Sequence, residues 1–160
     1  MTLARTLAAL LFLSAVNLAL MIPGGLVETR SFPGYGVATL GAFNVFLTVL
    51  GLGSLVLAYR VFRSQHAGAM PALAGVAYVA VYGLDLTRIF PVSAVPMPAT
   101  LATMEGIGAV LGLATIAAAV RLAFVQRGNV ADRSGLPRGL LIAMGVAALA
   151  IVIFATLSAM

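Results

Sequence analysis

Residues 37–59 read VATLGAFNVFLTVLGLGSLVLAY, without a single charged side chain. The run does not alternate apolar with polar residues, so it is not a half-buried strand. It is longer than the roughly 20 residues a helix needs to cross about 30 Å of hydrocarbon. A segment in that medium has to satisfy its own backbone hydrogen bonds, and a continuous apolar run does so as a helix. Four more runs outward from this one are mostly apolar and within the roughly 17–25 residues a span takes: 6–22, 72–90, 101–120 and 139–157. Proline and glycine fall in the gaps between them, from Pro23-Gly24-Gly25 to Pro91, Pro96 and Pro98, where they end helices and make turns. The expected fold is all-α: one transmembrane domain over 1–160, a polytopic bundle of five membrane helices with a four-helix core and an appended C-terminal helix.

Composition agrees with this reading. Of 160 residues, 62% are hydrophobic and 8% charged, against about 25% charged in soluble chains. So few charges cannot cover a water-exposed surface, which excludes a soluble globular enzyme. Basic residues are sparse and separated by long apolar runs, which excludes a disordered chain and a nucleic-acid binder. The chain has no cysteine and one histidine, His66. Disulfides, thiolate zinc sites, iron–sulfur clusters and bis-histidine haem are therefore ruled out, and no cofactor, metal site or catalytic set is expected.

The first run has some features of a signal peptide, with Arg5 ahead of an apolar stretch. It lacks a small-residue cleavage site before Pro23 and is interrupted by Asn17, so an uncleaved helix is expected. In a five-span arrangement Arg5, Arg60, Arg63, Arg121, Arg127, Arg133 and Arg138 share one side, and only Arg30 and Arg88 take the other. The positive-inside rule then places the N-terminus in the cytoplasm and the C-terminus outside. The expected location is the cell membrane, as a multi-pass protein of a bacterial inner membrane.

The outer side carries three of the four acids, Glu28, Asp85 and Glu105; Asp132 is the only acid inside. In the third run Gly75, Tyr78, Tyr82 and Asp85 recur at helical spacing and share one face. Asp85 at that depth needs the bundle interior or a wet cavity, and Arg88 or Arg30 can pair with it. In the fourth run Glu105 shares a face with Gly108 and Gly112, a G-x-x-x-G pair that favours close helix approach. There Glu105 reads as a first-turn residue favoured by the helix dipole. Asn44 in the second run and Asn17 in the first add polar groups in the same outer third. Such groups often act only as interhelical glue; their shared depth instead suggests a common pocket. The candidate ligand-binding residues are Asn17, Glu28, Arg30, Asn44, Tyr78, Tyr82, Asp85, Arg88 and Glu105.

Two outer segments carry a further signal, IPGGLVETRSF at 22–32 and YGLDLTRIFPVS at 82–93, followed by Pro96-Met97-Pro98. On these motifs the chain resembles a group of small bacterial integral membrane proteins with an uncharacterised domain. The resemblance spans the first four helices and not the fifth, and it implies no activity.

The reading that follows is a helical bundle with a partly polar, outward-facing pocket, covered by the first loop and rimmed by the proline loop. Its apolar walls suit a lipid or other amphiphile with an anionic or polar head near Arg30 and Arg88. The alternative is a structural or accessory subunit that docks on a membrane-protein partner or on further copies of itself through glycine and alanine faces. A small transporter or a membrane-embedded enzyme using Asp85 and Glu105 ranks below both, because the polar groups are shallow and no nucleophile has a histidine partner.

Overall fold

The structure, a computed structural model, describes residues 2–126 and 138–160. Arg127, Asp132 and Arg133, assigned above to the inner side, lie outside the described residues. Five helices make up the fold: α1 (Leu3–Leu20), α2 (Val37–Ser64), α3 (Met70–Leu86), α4 (Ala99–Val125) and α5 (Arg138–Ala159). No strand occurs among the described residues. Helices α1, α2 and α4 are long and apolar enough to cross a membrane, whereas α3 and the apolar part of α5, Val146–Ala159, are shorter.

Local chemistry sets several of the helix ends. Thr2 caps α1 by accepting the Arg5 N–H on its hydroxyl, satisfying one of the donors left unpaired in a first turn. Pro71 opens α3, where its missing N–H removes no helical bond. The 72–90 run was expected to stay helical to Phe90, but α3 stops at Leu86. Arg88 adopts a left-handed conformation, φ 57°. Its N–H donates to Asp85 O at 2.8 Å, and the N–H of Ile89 donates to Leu84 O at 2.9 Å. This paired closure is the usual way a left-handed residue terminates a helix. Thr87 reinforces it by donating its hydroxyl to Gly83 O at 2.6 Å.

Helices α1 to α4 close into a bundle in which α1 packs on α2 and α4, and α3 packs mainly on α4. Helix α5 lies against α2 alone among the helices, over the described residues. The α3–α4 approach depends on glycine. A Cβ on Gly75 would lie 2.9 Å from Gly112 O and 2.8 Å from Ile116 Cγ1, and one on Gly108 would collide with the Tyr82 ring. These backbones pack where side chains would otherwise hold them apart.

The buried faces carry many of the polar side chains, including Ser14, Asn17, Asn44, Thr48, Ser54, Asp85, Glu105 and Thr115. Val49, Leu73 and Val110 are each more than half exposed. This distribution reverses that of a water-soluble bundle and fits a membrane protein. At the end opposite the acids, Gln126 donates its side-chain amide to Gln65 O and accepts from Ala67 N–H, and the Thr2 hydroxyl donates to Gln65. These bonds join the start of α1, the end of α2 and the end of α4, where Arg5, Arg60, Arg63 and Arg121 are exposed.

Candidate functional site

The α1–α2 connection enters the bundle instead of crossing its surface. Gly24, at φ 78°, makes the reversal that only glycine adopts freely, and a Cβ there would strike Ser158 of α5. The Gly24 N–H donates to Glu28 O at 3.1 Å, and the Phe32 N–H donates to Ala159 O at 2.8 Å. Between these two ties the chain turns Glu28 and Arg30 inward, each only 5% exposed. The α3–α4 loop is tied to the same segment: Tyr35 accepts the Val92 N–H on its hydroxyl, and Ser93 donates to Ser31 O. Phe90 fits edge-on between Tyr35 and Phe43.

Arg30 organises the centre of the site. Its Nε donates to both Glu28 oxygens at 3.1 Å, and its Nη2 donates to Glu28 Oε2 at 2.6 Å. On the other side Nη1 and Nη2 form a two-pronged pair with Asp85, at 3.1 and 2.7 Å. The planar guanidinium fork suits this double clamp. Burial works against the charge, but the hydrogen bonds and attraction of Glu28 and Asp85 prevail, holding the guanidinium above its usual range. A base shifted upward contributes stability below its unfolded pKa, so this contribution is constant across ordinary working pH.

Asp85 therefore pairs with Arg30 and not along its own helix with Arg88, which the left-handed turn carries out to the exposed rim. Glu105 also departs from expectation. Because α4 starts at Ala99, Glu105 is in the second turn, where helix-dipole stabilisation has largely faded. It is 3% exposed, its Oε1 is 3.8 Å from Arg30 Nη2, and its Oε2 has no hydrogen-bond partner. Two carboxylates thus share one guanidinium, and a third stands beside them.

The remaining candidate residues surround this cluster at increasing distance. Asn17 donates to the Tyr82 hydroxyl at 3.3 Å and to Met104 O at 3.1 Å, linking α1, α3 and α4. Tyr78 stacks on Tyr82 and donates to Ser54, deeper in the bundle. Asn44 donates to Thr156 of α5 at 3.1 Å. Thr156 and Ser54 were absent from the sequence-derived set. A lone hydroxyl at helical spacing in an apolar helix was the available signal, and it is weak because such groups commonly bond their own backbone.

Two cavities share wall residues at this layer. One, of about 60 Å³, has Glu28, Asp85, Glu105, Tyr82 and Asn44 in its wall. The other, of about 90 Å³, is an apolar groove between α1, α2 and α5 that includes Gly51, Leu55 and Ala155. Leu18, Met21, Pro23, Asn44 and Leu47 belong to both walls. Arg30 and Arg88 instead line a separate recess of about 130 Å³ beneath the proline loop. Among the described residues no cluster of three or more acids, histidines or cysteines is arranged to hold a metal ion; the Arg30 guanidinium fills the place between carboxylates that a cation would take.

No curated protein and no solved structure matches the chain. A family defined by a domain of unknown function, DUF8051, matches residues 3–133, which takes in α1 to α4 and stops short of α5. The chain belongs to the DUF8051 family.

Proposed function

We propose that this protein is a five-span membrane protein, N-terminus inside and C-terminus outside, whose outer half binds a lipid or similar amphiphile. The observation carrying this reading is the shared wall of the two cavities: an apolar groove has Leu18, Met21, Pro23, Asn44 and Leu47 in common with a recess whose mostly apolar wall includes Glu28, Tyr82, Asp85 and Glu105. That sequence of surfaces matches an amphiphile, with hydrocarbon in the groove and a head in the recess. The exposed arginines at the opposite end support the orientation.

Native mass spectrometry after gentle extraction tests the reading, comparing wild type with Gly51→Phe. A Cβ on Gly51 makes only an ordinary contact, 3.5 Å from Leu18, so a phenyl ring extends into the groove without opposing the fold. The expected result is a co-purified mass of a few hundred daltons on wild type that Gly51→Phe loses. Absence of any bound mass from both forms sinks it.

A second reading, an accessory subunit of a larger membrane complex, is favoured by one feature. Among the described helices α5 packs only on α2, and it leaves Ile142, Val146, Leu149 and Leu157 open, a continuous apolar face suited to lipid or to another membrane helix.

A further inference from the structure

Arg88 is exposed, and its side chain has no ion-pair partner: all three ion pairs among the described residues belong to Arg30. It borders the recess of about 130 Å³ beneath the proline loop, together with Arg30, Pro91, Ser93, Val95 and Pro96. No acid is among the described wall residues; Glu28, Asp85 and Glu105 line the other cavity. Two guanidiniums thus border one space from which the carboxylates are absent, and an anion between like charges is favoured by both. Arg30 is bound by Glu28 and Asp85 but not used up. Of the five N–H donors on a guanidinium, Glu28 takes that on Nε and one on Nη2, and Asp85 takes the other on Nη2 and one on Nη1. The fifth, on Nη1, lies on the edge of the plane turned away from both carboxylates, in a residue only 5% exposed. Arg88 is placed by its left-handed turn, φ 57°, which is costly for a residue with a Cβ and of the kind that collects at binding sites. The loop opposite is fixed in advance. The Val92 N–H donates to the Tyr35 hydroxyl, Ser93 donates to Ser31 O, and the Val95 N–H donates to Ser93, with Pro91 and Pro96 restricting the backbone.

We propose that the recess beneath the proline loop binds a phosphate group, with Arg88 supplying the attracting charge and Arg30 a positioned donor. Glu28 and Asp85 offset the charge of Arg30, so the net attraction comes from Arg88. Guanidinium binds phosphate through paired, charge-assisted N–H···O bonds, and a phosphate has oxygens enough to meet both arginines at once. About 130 Å³ is the share of roughly four waters in the liquid, room for a phosphate group. The group belongs either to a lipid head, which on the five-span reading above lies at this level of the membrane, or to a free ion; the chemistry offered by the protein is the same. The site has no wall residue in common with the apolar groove, so the phosphate site and the amphiphile reading stand or fall separately.

The test uses the whole protein in nonionic detergent at neutral pH and reads the rise of melting temperature with ligand, from which an apparent affinity follows. One arm compares inorganic phosphate with chloride at equal ionic strength. The other compares dioleoylphosphatidylglycerol with dioleoylglycerol, which has the same chains and no phosphate. Wild type should be stabilised by the phosphate-bearing member of at least one pair, and the arm that responds names the source. In that arm Arg88→Gln should weaken binding about tenfold or more, the loss expected of charge-assisted bonds. Arg63→Gln, which removes an exposed arginine from the other end, should bind as wild type does. Arg88→Gly should show the same loss in a residue that adopts the left-handed turn freely, which separates lost binding from a weakened fold. No stabilisation in either arm, wild-type binding by either Arg88 variant, or equal losses in Arg88→Gln and Arg63→Gln would overturn the site.

Discussion

The two ends of the bundle hold charge in opposite ways. At the end that holds the start of α1 and the ends of α2 and α4, Arg5, Arg60, Arg63 and Arg121 are exposed, and the ties between helices are made by neutral groups, Gln65, Gln126 and Thr2. At the opposite end Arg30 and its carboxylate partners are buried, and the ion cluster joins the loop to α3 and α4. An exposed arginine at a membrane border orients the chain. A buried one is bound to its partners, because an unpaired charge in that setting is strongly destabilising.

This contrast is most exposed to failure at Arg30. Arg30→Met leaves two carboxylates buried without their cation and should cost about 3–5 kcal/mol, read as lowered thermal stability in detergent. Arg63→Gln, the matching loss of one arginine at the other end, should leave the melting temperature unchanged. Equal effects from the two would mean that burial does not distinguish the ends. The helix contact beneath the ion cluster comes next. Gly75→Val forces a side chain against Gly112 O and Ile116 and should cost about 1–3 kcal/mol, with α3 and α4 separating enough to loosen the Asp85–Arg30 pair. A stability as high as wild type would show that the close approach is dispensable. The smallest effect has the opposite sign. Arg88→Gly relieves a left-handed residue that has a Cβ and should stabilise by about 1 kcal/mol. A loss of stability instead would give the Arg88 side chain a structural part in the rim.

Much of the architecture was legible because apolar periodicity and length are strong signals in a chain with so few charges. Five membrane helices were expected; five helices are observed among the described residues, three of them long and apolar enough to cross a membrane, and α2 begins at Val37, where the reading of 37–59 began. The polar residues of the outer layer were legible as a set through their common depth. Their pairing was not. Whether Asp85 turns to Arg88 or to Arg30 depends on where α3 ends, and that end is set by backbone closure at an arginine, a residue with no special preference for the left-handed region. The position of Glu105 in its helix shifted for a similar reason, since helix starts carry an uncertainty of a residue or two. The Asn44–Thr156 bond joins residues far apart in sequence, and nothing local encodes it.

The clamp of one guanidinium between two carboxylates also constrains how the sequence can change. If Arg30 is replaced first, Glu28 and Asp85 are left together without their cation, and the intermediate is the least stable of the series. If Asp85 is neutralised first, Arg30 keeps its bonds to Glu28 and the cluster loses an excess negative charge. The same three positions can therefore be altered in one order and not readily in the reverse. A lineage leaving this arrangement is expected to lose an acid before it loses the arginine.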